Sequence, residues 1–241
     1  MLLLVSVRGE DEVAAALVGG ADIIDAKDPA RGALGPVSPA TLRAIAARVP
    51  ETVAFGAALG DFGSPDAVRR AVAGVAISPR RTATYVKLGF AGERSEAVVT
   101  SLIAAALGAA GPGMMVVPVA YADHERAGSP APEAVLRATL SAGARGYLID
   151  TWAKDGRGLL DCIALGRLRT LSGAVRAAGL LLAIAGSLTP AALDRLAGLA
   201  DVVGVRGAAC RGGRDGRVDA DLVRRLRVRL HGTLPAAAEA S

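Results

Sequence analysis

Three lysines stand out in this sequence because almost every other basic residue is an arginine. Lys27, Lys87 and Lys154 are the only lysines among 28 basic residues. An arginine guanidinium stays protonated, whereas a lysine ammonium can be made to release its proton and then attack a carbonyl carbon. Lysine at these three positions therefore indicates amine chemistry, such as formation of an imine with an aldehyde or ketone.

Carboxylates accompany two of these lysines. Asp25 precedes Lys27 by two residues, so both side chains point to the same side of a regular strand, and Asp150 precedes Lys154 by four residues. Forming an imine and breaking a C–H bond both require proton transfers, which a carboxylate can perform. The alternative is that each aspartate only balances a buried lysine. Asp28 is a weaker candidate for the same role.

Short apolar runs, each followed by an amphipathic segment, must position these side chains. The runs are nearly all apolar rather than alternating, which is typical of strands covered on both faces, and eight such units predict a (β/α)₈ barrel. A doubly wound open sheet is the alternative, since the pattern alone does not prove closure. The runs are Leu2–Ser6, Asp22–Lys27, Val53–Leu59, Thr84–Leu88, Met115–Ala120, Gly146–Asp150, Leu180–Ala185 and Asp201–Arg206.

Helix starts and chain length agree with one barrel. Ser38-Pro39, Ser64-Pro65 and Thr189-Pro190 each place a capping hydroxyl before a proline suited to the first helical position. The length of 241 residues is within the range of a single-domain barrel. We therefore predict one domain over residues 1–231 and a disordered tail over residues 232–241.

The predicted barrel brings the lysines together. Each lies at or just past the C-terminal end of a strand, namely the second, fourth and sixth, and barrel enzymes keep their active sites at that end. Alternate strands contribute to the same side-chain layers. Ammonium groups crowded into one barrel mouth lower one another's pKa, and loss of water acts in the same direction.

The loops after the seventh and eighth strands are candidates for phosphate binding. They contain Gly186 and Ser187, and then Arg206, Gly207 and Ala208. Small residues let backbone N–H groups approach an anion, and these two loops are the usual phosphate cradle of the barrel fold. The alternative is that the glycines serve only to form tight turns.

Several other classes of protein and site are disfavoured. The net charge of +5 is spread among acidic residues and only 3% of residues are aromatic, which argues against nucleic-acid binding. The apolar run Leu2–Val5 is too short for a signal peptide or a membrane span, so a cytoplasmic protein is expected.

Cysteine and histidine are too few for a zinc site or a disulfide framework. Cys162 and Cys210 lie far apart, and His124 and His231 are the two histidines. We expect no metal and no cofactor. His124 is either a solvated loop residue or an acid or base at the rim, and Trp152 either packs under its loop or covers a substrate. The sequence leaves the oligomeric state open, with a homo-oligomer as one alternative.

Several stretches resemble the (5-formylfuran-3-yl)methyl phosphate synthase family. The resemblance extends to about Leu230, and its first and last blocks are quite specific. The stretches are Leu2–Ser6, Gly19–Pro29, Gly32–Gly35, Tyr121–Asp123, Leu148–Thr151, Lys154–Gly156, Ala185–Ser187 and Val203–Cys210.

The resemblance implies condensation of two glyceraldehyde 3-phosphate molecules, with loss of phosphate and water, in methanofuran biosynthesis. It also implies a Schiff base on Lys27, a choice among the lysines that the residues alone do not make. Lys87, Lys154, Asp25 and Asp150 match the other active-site positions of the family. The alternatives are a different lysine-dependent aldolase acting on a phosphorylated aldehyde, and a noncatalytic barrel that binds phosphorylated metabolites.

Overall fold

Eight parallel strands close into a barrel in chain order, with the eighth strand paired to the first. This computed structural model describes residues 1–75 and 81–231, so the predicted tail lies outside the described residues. The strands are β1 (Leu2–Val7), β2 (Ile23–Ala26), β3 (Ala54–Asp61), β4 (Thr84–Gly89), β5 (Met114–Tyr121), β6 (Gly146–Asp150), β7 (Leu181–Ile184) and β8 (Val202–Val205). The predicted barrel is confirmed, and the open sheet is excluded.

Helices follow the strands and cover the outside of the barrel. They are α1 (Val13–Val18), α2 (Pro39–Arg48), α3 (Pro65–Ala73), α4 (Glu96–Ala109), α5 (His124–Ala127), α6 (Pro132–Ala142), α7 (Leu159–Cys162), α8 (Leu165–Ala177), α9 (Pro190–Arg195) and α10 (Ala220–His231). Two very short strands, β9 (Cys210–Arg211) and β10 (Arg217–Val218), form a hairpin between β8 and α10.

Two of the three predicted helix caps form. The hydroxyl of Ser38 accepts the N–H of Thr41, and that of Thr189 accepts the N–H of Ala192. The prediction for Ser64 is wrong, because its side chain makes no capping hydrogen bond. Helix α3 still begins at the following proline, whose fixed φ suits the first helical position.

Alternation along the strands divides the core into two layers. Leu4, Ile23 and Leu148 belong to the cluster inside the barrel, whereas Val5 and Ile24 pack in the larger cluster between the strands and the helices. Successive side chains of a strand point to opposite faces. Continued along β2 and β6, the same alternation turns Asp25, Lys27 and Asp150 toward the barrel interior.

Candidate active site

A cavity of about 320 Å³ opens at the C-terminal ends of the barrel strands. This volume is at the lower end of the range for ligand pockets, so the cavity suits small molecules. Asp25 is wholly buried and does not line the cavity. The other predicted site residues all line it, namely Lys27, Lys87, Asp150, Lys154, Gly186, Ser187, Arg206, Gly207 and Ala208.

Asp25 forms a buried ion pair with Lys87. Lys87 Nζ lies 2.5 Å from Asp25 Oδ1, and the Ser6 hydroxyl donates a hydrogen bond of 2.9 Å to Oδ2. Gly56 lies beside Asp25 on the neighbouring strand, where a Cβ atom would come within 2.7 Å of Oδ1. Because Gly56 has no side chain, Asp25 on β2 can reach Lys87 on β4 past strand β3. The close partner of Asp25 is therefore Lys87 and not its sequence neighbour Lys27.

Asp150 and Lys154 form a second ion pair at the end of β6. Lys154 Nζ donates to Asp150 Oδ1 at 3.0 Å, and also to the carbonyl and the hydroxyl of Thr151 at 2.6 and 3.0 Å. Burial alone would raise the pKa of Asp150. The ammonium groups of Lys154 and Lys27, with the hydrogen bonds from Lys154 and the Thr151 N–H, outweigh burial and lower that pKa. Asp150 is therefore a carboxylate at neutral pH.

Lys27 has no carboxylate within 4 Å in the part of the chain that the structure describes, although its side chain is buried. Loss of water on burial lowers its pKa from 10.5 to about 8. The charges of Lys87 and Lys154 act in the same direction, whereas Asp150 and Asp25 oppose the shift. Roughly one Lys27 in ten therefore carries a neutral, nucleophilic amine at pH 7.

The loop after β7 presents backbone N–H groups to the cavity. Gly186 has a φ of 110°, and Ser187, with a φ of 49°, is the one described residue other than glycine with a positive φ. Neither N–H donates a hydrogen bond to another described residue. A strained backbone with unused donors is typical of a functional site, and two free N–H groups suit an anion.

The loop after β8 adds similar donors. The N–H groups of Gly207 and Ala208 also have no acceptor among the described residues. Both residues line the cavity, as do Gly186 and Ser187. The structure thus brings both loops predicted to bind phosphate to one side of the cavity, and we name these four residues the phosphate cradle after that prediction.

Arg206 links the hairpin after β8 to Ser6 and Glu12 at the other end of the chain and has no N–H donor free for a ligand. Its guanidinium forms a buried ion pair with Glu12 through both Nη atoms. The remaining donors bind the carbonyls of Ser6, Arg214 and Gly216 at 3.1, 3.1 and 2.7 Å. All five N–H groups are thereby used. The expectation that Arg206 binds phosphate is corrected, because the buried Glu12 carboxylate already occupies its charge.

Arg214 also lines the cavity, and the sequence analysis missed it. It follows Gly212-Gly213 in the hairpin after β8, and its Nη2 donates to the carbonyls of Pro29 and Gly32 in the loop after β2. The adjacent glycines indicated a loop near the site, but in an arginine-rich chain the sequence does not distinguish Arg214 from surface arginines. Arg214 puts a fixed positive charge at the mouth of the cavity.

Among the described residues, the lining of the cavity does not include the other side chains considered in the sequence, namely Asp28, His124, Trp152 and Cys210. His124 begins helix α5, and Trp152 is 39% exposed. Asp28 caps the short helix Pro29–Arg31 by accepting the N–H of Ala30. Cys210 is buried, which raises the pKa of its thiol to about 11.

The described ranges hold neither a cluster of metal-ligand side chains nor a membrane-spanning helix. Residues 1–75 and 81–231 contain no group of three or more His, Cys, Asp or Glu side chains arranged to hold a metal ion. No helix in these ranges has the length and apolar character required to cross a bilayer.

Comparison with known proteins identifies relatives along almost the whole chain. Residues 3–227 match the family model described as 4-HFC-P synthase. The (5-formylfuran-3-yl)methyl phosphate synthase of Methanothermobacter thermautotrophicus is 37% identical over 94% of this chain and 98% of its own length. The enzyme of the same name from Methanocaldococcus jannaschii is 35% identical, with the same coverage of both chains.

Solved structures share the fold at much lower identity. Phosphoribosylanthranilate isomerase from Thermotoga maritima aligns with a TM-score of 0.60 and 16% identity, covering 97% of this chain and 100% of its own. Thiamine phosphate pyrophosphorylase from Pyrococcus furiosus aligns with a TM-score of 0.59 and 17% identity, covering 97% and 96%. Similarity at this level of identity supports the barrel and nothing more specific.

Proposed function

The chain belongs to the 4-HFC-P synthase family, and from that premise we propose that it condenses two molecules of glyceraldehyde 3-phosphate into (5-formylfuran-3-yl)methyl phosphate. One phosphate and two water molecules are lost, which balances the atoms of the six-carbon product. The reaction proceeds through an imine on a lysine and supplies the furan of a methanofuran-type cofactor in the cytoplasm.

The proposal depends on the protonation state of Lys27. A lysine attacks a carbonyl only as the neutral amine, and burial without a paired carboxylate favours that form. Lys87 and Lys154, in contrast, are each ion-paired with an aspartate. Lys27 is therefore the nucleophile, and its imine draws electrons from the neighbouring carbon so that a C–H bond there can break.

The two ion pairs supply the proton transfers. Asp150 is ionised and lines the cavity, so it accepts a proton from the carbon next to the imine. Lys154, bonded to Asp150, returns a proton when water or phosphate leaves. Lys87 does the same on the other side of the cavity, with Asp25 holding its ammonium group in place.

The phosphate cradle orients the triose that forms the imine. Four backbone N–H groups at one end of the cavity bind its phosphate, so that the aldehyde carbon points toward Lys27. Backbone donors do not titrate, and binding through them therefore stays constant while the cavity lysines exchange protons.

The purified protein tests this proposal when it is incubated with glyceraldehyde 3-phosphate alone. We expect a new ultraviolet absorption from the furan aldehyde together with release of one phosphate per product. Reduction with borohydride during turnover should attach a triose-sized mass to the peptide that contains Lys27. The Lys27→Met variant, which removes the amine but keeps similar bulk, should give neither absorption nor adduct.

Other outcomes point to other functions. Carbon–carbon bond formation without the furan chromophore would indicate a different lysine-dependent aldolase. Binding of the triose phosphate without a trapped adduct or a product would indicate a noncatalytic barrel. A label on Lys87 or Lys154 would overturn the choice of Lys27 and leave imine chemistry in place.

A further inference from the structure

Arg214 reaches across the mouth of the barrel from the last loop to the second. It lies in the short helix Gly213–Asp215, between strands β9 and β10. Its Nη2 donates to the carbonyls of Pro29 and Gly32 at 3.2 and 2.8 Å. These two contacts fix the plane of the guanidinium beside the loop that follows Lys27.

Arg214 has no close ion-pair partner in the part of the chain that the structure describes, although the charges of Asp150 and Asp215 act on its guanidinium at longer range. No carboxylate lies within 4 Å of its guanidinium, and its Nε and Nη1 groups have no hydrogen-bond acceptor there. Arg206, the other arginine that lines the cavity, is fully neutralised by Glu12. Arg214 is therefore a partly buried cation whose free N–H groups are available to an anion.

The proposed reaction requires a second anion site, and this step rests on the proposed function. Two phosphorylated trioses must occupy the cavity together before they condense. The phosphate cradle accounts for one phosphate. The backbone of Arg214 lies beside Gly207 of the phosphate cradle, whereas its guanidinium extends to the loop after β2, so its free donors face the cavity from the side of that loop.

We infer that Arg214 binds the phosphate group of the second triose and thereby makes the enzyme selective for a phosphorylated second substrate. The residue type fits this role. Lysine is kept where a proton must move, whereas binding a phosphate requires only a fixed charge and a fork of donors, which arginine supplies.

Calorimetric titration with sn-glycerol 3-phosphate tests the inference without turnover, because this compound has no carbonyl and cannot form an imine. We expect the unaltered protein to bind two equivalents. Arg214→Gln should bind one equivalent at unchanged affinity, with the second site weakened roughly tenfold or more. Arg214→Lys should bind the second equivalent with intermediate affinity, since it keeps the charge and loses the fork.

Arg211→Gln is the matched control. Arg211 lies on the same hairpin, but its side chain is exposed and paired with Asp219. This variant makes the same change of charge and should bind two equivalents. Trapping of triose phosphate on Lys27 by borohydride should persist in Arg214→Gln, which shows that the loop after β2 keeps its structure.

Three results would overturn the inference. These are a single equivalent bound by the unaltered protein, two equivalents bound with unchanged affinity by Arg214→Gln, and loss of both equivalents together with loss of trapping in that variant. The proposed function fails separately. If no furan forms but two equivalents bind and Arg214→Gln loses one, the phosphate site stands while the reaction must be reassigned.

Discussion

Lys27 differs from the two other cavity lysines in what surrounds its ammonium group. Lys87 and Lys154 gain the charge of a carboxylate when they are buried, whereas Lys27 loses water without gaining a close partner. Two of the amines thus keep a carboxylate partner, whereas burial lowers the pKa of the third to about 8.

The pH dependence of imine formation should follow Lys27. Its pKa of about 8 means that the amine is protonated below this pH, so trapping by borohydride at low triose phosphate should fall about tenfold for each pH unit below 8 and level off above it. Trapped mass measured against pH gives the midpoint. A midpoint near 10.5, the ordinary value for lysine, would show that burial does not activate this amine.

Lys87→Arg should lose nearly as much turnover as Lys87→Met. Both variants remove a group that can exchange a proton, and we expect a loss of about a hundredfold or more in kcat for each. Arginine preserves the charge beside Asp25, so it tests whether charge alone is sufficient. A Lys87→Arg enzyme with near-normal kcat and an unchanged pH profile would reduce Lys87 to an electrostatic neighbour of Lys27.

At the scale of elements, short loops place the reactive groups. The loop after β6 is held by Asp123, whose carboxylate accepts the backbone N–H groups of Trp152 and Ala153. Because these residues lie just before Lys154, the two hydrogen bonds fix the backbone that directs the Lys154 side chain toward Asp150. Asp123 lies in the resembling stretch Tyr121–Asp123, but the sequence does not reveal these contacts, since both of its partners are backbone groups.

Gly186→Ala should damage the phosphate cradle. An added Cβ would meet the Thr151 N and Cγ2 atoms at 3.1 Å, and the φ of 110° is unfavourable for alanine. We expect a loss of roughly 1–3 kcal/mol in the free energy of unfolding, measured in urea, and weaker binding of glycerol 3-phosphate.

Gly173→Ala provides the comparison. This glycine lies within α8, where an added Cβ meets nothing within 4 Å, so alanine should raise the free energy of unfolding by about 0.5–1 kcal/mol. Equal effects of the two substitutions would contradict the role given to the backbone of Gly186.

Strands were the most predictable elements. Each predicted run agrees with its strand to within two residues, because a strand covered on both faces is apolar along most of its length. Helix caps were less predictable. Ser64 has the same Ser-Pro pattern as Ser38 but makes no capping bond, since the proline alone is enough to begin the helix.

At the scale of the whole molecule, closure of the barrel joins residues from opposite ends of the chain. Glu12 follows β1 and Arg206 follows β8, and their buried ion pair links the two loops beside the strands that close the barrel. The sequence does not reveal this pair, because Glu12 belongs to the acidic run Glu10-Asp11-Glu12, which looks like an exposed surface. The pairing of Asp25 with Lys87 was also unpredictable from the sequence, because it depends on how β2 and β4 face each other.

Glu12→Ala should strongly destabilise the protein. It leaves the Arg206 guanidinium buried without a counterion, which costs about 3–5 kcal/mol when one partner of a buried pair is removed. Chemical denaturation measures the loss. Asp66→Ala, which breaks the exposed pair with Arg69, should leave the unfolding midpoint unchanged. Similar midpoints for both variants would contradict the structural role of the buried pair.

The confinement of lysine to the cavity makes the chain unusual as a target for proteolysis. A protease that cuts only after lysine has three target bonds, and each follows a side chain that is at most 13% exposed, so the folded protein should resist it. Complete digestion of the unfolded chain gives residues 1–27, 28–87, 88–154 and 155–241. A reduced imine on Lys27 blocks the first cut and leaves residues 1–87 joined. The length of one peptide therefore reports which amine has reacted.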